Sequence, residues 1–182
     1  ESDLVIETSA GQFIVKCKGI AESTEEFIFI EDFEKDAKGW YVVDADSDGL
    51  TWDLGSNLLG GQEELYVRSG RQALVSMSYN YNLGGLTPDN WALSPEFTIP
   101  ATSTENVLLT WWVGLQVADQ YIGDNYTVYI TEKPLGDKLI EEDWEEIYNE
   151  IPQNIEWTKN EVDISKFAGK TCRLAFRHHD CE

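Results

Sequence analysis

The sequence predicts an all-β fold, an antiparallel β-sandwich with one short helical insertion. Three observations carry that reading. Short runs rich in Val, Ile, Tyr, Phe, Trp and Thr recur along the chain. Gly, Pro, Asn and Asp punctuate them, as in "LGSNLLGGQ" and "LGGLTPDN". One run, "NYTVYIT", alternates with period two, placing Tyr126, Val128 and Ile130 on one face and Thr127, Tyr129 and Thr131 on the other, as in a half-buried antiparallel strand.

Taken in order, residues 1–26 read as two strands, "DLVIET" and "QFIVKCK", followed by an acidic linker. They form a two-stranded extension or the tail of an upstream domain. Residues 27–182 make a second unit, with strand signals in "EFIFIEDF", "WYVVDAD", "ALVSMSYNY", "WALSPEFTI", "VLLTWWVGLQV", "NYTVYITE" and "CRLAFRHH". The exception is "DKLIEEDWEEIYNEI", where Leu139, Trp144, Ile147, Tyr148 and Ile151 fall at helical spacings among Glu and Asp. It is expected to be an excursion helix with a solvated acidic face. Many short strands with a single such insertion favour a sandwich.

Composition narrows the partners. With 34 acidic and 13 basic residues the formal charge is -21, which repels nucleic-acid phosphates and anionic lipid. Hydrophobic residues at 42% are enough for a core. The longest apolar stretch, Val107 to Ala118, is interrupted and too short to span a bilayer. No initiator Met or signal-type segment is present, as expected of a trimmed mature fragment. Three cysteines, Cys17, Cys172 and Cys181, leave at least one unpaired. On one straight strand Cys172 and Cys181 would lie roughly 30 Å apart, beyond disulfide reach.

One short motif invites chemistry. In "DADSDG", Asp44, Asp46 and Asp48 alternate and Gly49 permits a sharp bend, a pattern that suits calcium. The EF-hand reading fails, because the twelfth position from Asp44 is Gly55 where a bidentate Glu is needed. Either the loop recruits carboxylates from elsewhere, or it is a solvated acidic turn. His178 and His179 are neighbours on a predicted strand, so their rings point apart and do not share a metal. One is expected to be packed and the other exposed, with Arg177 pairing an acid. Of the aromatics, Tyr79, Tyr81, Tyr121 and Trp144 lie near loops or on the excursion and are expected to be exposed, as ligand-binding candidates that stack on sugar rings. Enzymatic signatures are missing: no Gly-x-Ser-x-Gly elbow, no cysteine-protease motif and no phosphate loop occur, and no carboxylate pair stands out.

A stretch near the middle, "SMSYNYNLGGLTPDNWALSPEFTIP", resembles the cleaved-adhesin domains of secreted Bacteroidetes proteins, including the haemagglutinin/adhesin regions of gingipain proteases. "DFEKDAKGWYVVDADSDGLTW", "LTWWVGLQVADQYIGDNYTVYIT" and "WTKNEVDISKFAGKTCRLAFRHHDC" agree with that family in order and spacing. The resemblance implies a jelly-roll sandwich related to galactose-binding and MAM-type modules, acting without catalysis and binding calcium structurally. It nominates Glu34 of "DFE" as a partner of the Asp loop, with Asp32 and Asp180 as further ligands. It places Trp40, Trp52 and Trp91 as core or loop anchors.

In the family a final strand ending in paired acids follows the Cys, whereas this sequence stops at Glu182. The segment "SDLVIETS" is therefore expected to pair where that strand would lie, beside Arg173 to Arg177. The expected function is a binding module of a secreted or outer-surface bacterial protein, recognising a host extracellular protein or glycan and joined to other domains of its polypeptide. The alternatives are an accessory targeting domain of a secreted protease or glycoside hydrolase, and a structural spacer in a surface array.

Overall fold

The structure is a computed structural model that describes residues 2–8, 11–17, 27–58, 60, 67–101, 106–115, 123–136, 138–153 and 155–181, the first two segments as backbone. Strands β1 (Ser2–Thr8) and β2 (Gly11–Cys17) pair as an antiparallel hairpin. The main unit follows with β3 (Tyr41–Asp44), β4 (Asp53–Leu54), a helical turn α1 (Gly55–Leu58), β5 (Leu74–Val75), β6 (Tyr79–Asn80) and β7 (Gly84–Gly85). Its second half runs β8 (Asn90–Leu93), β9 (Phe97–Thr98), β10 (Leu108–Val113), β11 (Asn125–Thr131), β12 (Glu145–Glu150), β13 (Thr158–Asp163) and β14 (Thr171–His179).

The principal sheet has the order β12-β11-β14-β8-β3, with β9 also on β14, and every pairing is antiparallel. Its two faces are read off β14 by period two. Cys172, Leu174 and Phe176 face the pair β10–β13, joining Ile99, Ile130, Ile164 and Phe167 in one core. Burial of each Ile or Leu there contributes about 1.5–3 kcal/mol. Ala175 points the other way, into a second cluster with Trp91, Leu93, Tyr129 and Trp144. Trp91 stacks on Tyr129 at 5.0 Å between ring centroids.

That second cluster corrects two expectations. β11 has the predicted register but is buried on both faces along its whole length, not half-buried, because the segment before β12 folds across its outer side. The segment itself is not a helix. Glu141–Asp143 form one 3-10 turn and Glu145–Glu150 an edge strand paired to β11. A β-bulge opposite Val128 and Tyr129 turns both Ile147 and Tyr148 toward the β10 layer. Apolar residues at 144, 147, 148 and 151 thus mimic helical spacing, while the glutamates protect an exposed sheet edge.

β14 has no vacant edge. β11 lines one side, β8 and β9 the other, and β1 pairs with β2, so Leu4 to Glu7 does not lie beside Arg173 to Arg177. That expectation is overturned. Cys181 is also not in line with the strand. Asp180 takes a left-handed conformation, φ +50°, and turns the chain back so that Cys181 Sγ sits 3.1 Å from His178 Nε2. Cys172 and Cys181 are both free thiols.

Candidate functional site

The Asp loop leaves β3 at Asp44, whose backbone is in register with Asn90 of β8. The next amide, Ala45 N–H, donates to Asp89 O at 2.9 Å and docks the loop against the segment preceding β8. Ser47 and Gly49 are left-handed, φ +62° and +85°, which reverses the chain within five residues. Gly49 N–H donates to Asp44 Oδ2 at 2.9 Å and Leu50 N–H to Asp48 Oδ1 at 2.7 Å. These bonds curl the carboxylates inward: one oxygen each from Asp44, Asp46 and Asp48 lies within 4.8 Å of the others.

The electrostatics are uneven. Burial opposes the charge on Asp44, but the amides of Gly49, Ser47 and Asp48 and a hydrogen bond from Asp46 outweigh it and hold its pKa below the usual carboxylate value. Asp46 goes the other way: burial, its bond to Asp44 and the charge of Asp48 push its pKa up. Asp44 Oδ1 is buried and has no hydrogen-bond partner. An unpaired buried carboxylate oxygen costs about 1–3 kcal/mol, so a hard cation among these oxygens fits the loop.

The other three predicted ligands are not brought into this cluster. Glu34 is taken by backbone amides, its carboxylate accepting from Arg71 N–H at 2.8 and 3.1 Å and from Gln72 N–H at 3.1 Å. Gly70, φ +69°, makes room for it, since a Cβ there would lie 2.1 Å from Glu34 Oε1. Asp32 Oδ1 accepts from Glu34 N–H at 3.0 Å in a local turn. Asp180 is exposed and holds His179 Nδ1 at 2.8 Å.

Among the aromatic candidates, Tyr79 and Tyr81 are open to solvent, with 59% and 95% of their surface exposed. They form an edge-to-face pair with centroids 6.2 Å apart at the tip of the β6–β7 hairpin. Asn80 stiffens the turn: its carbonyl accepts from Leu83 N–H at 3.2 Å and its Oδ1 from Asn82 N–H at 2.9 Å. Trp144 is instead buried, packed against Trp91 at 6.1 Å, because the edge strand draws it over β11. It is not an exposed ligand platform. Tyr121 lies outside the described residues.

The histidines do point apart, yet both are buried. His179 Nε2 bonds Thr127 Oγ1 at 2.8 Å on the Trp91 face, whereas His178 lies on the β10 face beside Trp52. Arg177 has its acid: Nε and Nη2 bond both oxygens of Asp89 at 2.7 and 2.9 Å, with Trp91 4.8 Å beneath the guanidinium. Burial opposes the Asp89 charge, but Arg177 overcomes it and lowers the pKa. Asp89 and Asp124 escaped the sequence reading because their partners lie 88 and 54 residues away, where spacing carries no signal.

The Cleaved Adhesin Domain family model matches residues 26–182. This chain belongs to the cleaved adhesin family. Haemagglutinin A of Porphyromonas gingivalis is 27% identical over 88% of the chain, and gingipain R1 of the same organism 30% over 84%. The chain spans less than a tenth of the length of these relatives, 8% and 9%. In structure it resembles the K1 cleaved adhesin domain of Lys-gingipain from P. gingivalis, with a TM-score of 0.66, 25% identity and coverage of 83% of this chain and 87% of that one. The K3 domain of the same protein gives 0.62 at 24% identity, covering 85% and 88%. The β-sandwich seen here is thus the cleaved-adhesin fold. Among the described residues no helix is long and apolar enough to cross a membrane.

Proposed function

We propose that this cleaved adhesin domain is a non-catalytic binding module of a secreted or cell-surface protein, recognising a host extracellular protein or glycan through the Tyr79–Tyr81 hairpin. The observation that carries the reading is the exposed tyrosine pair on a hairpin whose base is held by Leu86 N–H bonding Ser78 O at 2.8 Å. Flat rings held rigidly offer apolar area to a sugar face or peptide at little entropic cost.

In the same proposal calcium is structural. Asp44, Asp46 and Asp48 would hold it, and the ion would supply the positive charge that three converging carboxylates lack. The loop is fastened to Asp89, a few residues beyond the hairpin, so fixing the loop steadies the segment that carries the tyrosines. The small share of its relatives that this chain spans also leaves room for an accessory role beside another domain.

The test is binding of the domain to a glycan array and to immobilised fibronectin or fibrinogen, with calcium and with chelator. Tyr81→Ala is expected to weaken binding about tenfold or more with an unchanged melting temperature. Binding that is indifferent to both Tyr79→Ala and Tyr81→Ala would place the ligand surface elsewhere.

A further inference from the structure

A second cluster of metal-type ligands lies on the β10 face of the main sheet, where Asp124, His178 and Cys181 meet. Each offers one ligand atom, and the three atoms fall within 4.8 Å of one another. His178 Nε2 is 3.4 Å from Asp124 Oδ1 and 3.1 Å from Cys181 Sγ. Ligands around a tetrahedral zinc, at about 2.0–2.3 Å from the ion, stand about 3.3–3.7 Å from each other. Two of the cluster's three edges are therefore close to those of such a tetrahedron before any ion enters, and the third is within 4.8 Å.

Two further features go beyond proximity. His178 is buried, and its other nitrogen, Nδ1, is 2.8 Å from Ser76 Oγ. With a metal at Nε2, the Nδ1 proton would be donated to that hydroxyl, the arrangement of a metal-binding imidazole with its outer partner. Asn90 Nδ2 reaches the same hydroxyl at 3.3 Å and fixes it in turn. The ligands are also pre-placed by the fold: Asp124 immediately precedes β11, His178 lies in β14, and the left-handed Asp180 folds Cys181 back onto them. Nothing in the Asp44–Asp48 loop takes part.

We infer that Asp124, His178 and Cys181 form a zinc site, distinct from the Asp loop, with Ser76 as the residue that orients His178. One nitrogen, one sulfur and one carboxylate oxygen suit a borderline-soft ion and not calcium, which takes six to eight oxygens. On binding, a Zn–S bond replaces the thiol S–H bond and the proton leaves to solvent. Asp124 is a quarter exposed, 27% of its side chain, so solvent has access to a fourth position. The site joins the residues after β14 to the start of β11. It acts as a clip between the turn after β14 and the start of β11.

The probe is zinc or cobalt(II) chloride alone, added to the untagged, chelator-stripped chain. One cobalt per chain is expected, with a thiolate-to-cobalt charge-transfer band that zinc abolishes. Cys181→Ser should lose the band, Asp46→Asn should keep it, and Ser76→Ala should weaken binding about 10- to 100-fold. Far-ultraviolet circular dichroism checks each variant's fold. A measurement on the unmodified chain covers the case of a variant that fails to fold: zinc should slow alkylation of Cys181, read by peptide mass spectrometry. A band that survives Cys181→Ser, no band at saturating cobalt, or alkylation of Cys181 indifferent to zinc would overturn the inference.

Discussion

Asp46 and Asp89 lie on neighbouring segments, joined where Ala45 N–H donates to the Asp89 carbonyl at 2.9 Å, yet the surroundings of their side chains are opposite. Asp89 is gripped on both oxygens by Arg177 and further bonded by Trp91 Nε1 at 3.1 Å. Asp46 has two other carboxylates for neighbours and no cationic partner among the described ion pairs. The first pair is complete within the protein and its pKa is lowered; the second is short of positive charge and its pKa is raised. Glu34 shows a third solution, an acid satisfied by backbone amides alone. Of these acids, Asp89 is met by an arginine and Glu34 by backbone amides, whereas Asp46 faces two other carboxylates, and there the proposed cation would supply the missing charge.

That contrast is broken most severely at Arg177. Arg177→Met should destabilise the domain by about 2–4 kcal/mol in urea unfolding, because it leaves Asp89 partly buried and unpaired. The same pair sets an acid limit. With its folded pKa depressed, Asp89 contributes stability that is whole above its ordinary value of 3.8 and is lost as pH falls below it. Acid titration of wild type should show that loss, and Arg177→Met should flatten it. Gly70→Ala should cost about 1–2 kcal/mol, since φ +69° is strained for alanine and the Cβ meets Glu34.

Asp46 should behave with the opposite sign, although Asp44 in the same loop keeps a depressed pKa. A raised Asp46 pKa means that, without metal, its ionisation costs stability progressively as pH rises from 3.8 to the raised folded value, and that cost is relieved as pH falls back through the same window. Asp46→Asn should therefore be neutral or stabilising by less than about 1 kcal/mol in chelator, and should lose any calcium-dependent rise in melting temperature.

The sequence made the architecture legible wherever period two and turn chemistry spoke locally. The β11 register is in the alternation of "NYTVYIT", and the bend of the Asp loop is in Gly49. It failed where one pattern has two causes: a bulged edge strand at Ile147–Tyr148 writes the same spacing as a helix, and so carried Trp144 from the core to the imagined surface. The convergence of Asp44, Asp46 and Asp48 was readable because they adjoin in sequence. Glu34 was misplaced because nothing local tells that the amides of Arg71 and Gln72 will claim it. The cluster of Asp124 with His178 and Cys181 depends on β11 pairing β14 and on the left-handed Asp180, both properties of the folded chain.

The most direct test of the central contrast is calcium titration by isothermal calorimetry on the chelator-stripped domain. One calcium per chain is expected, with a dissociation constant of about 0.1–1 mM, the range of extracellular modules, abolished in Asp44→Asn with Asp46→Asn and unchanged in Glu34→Gln. No binding heat at several millimolar calcium, or binding that survives loss of both aspartates, would contradict it.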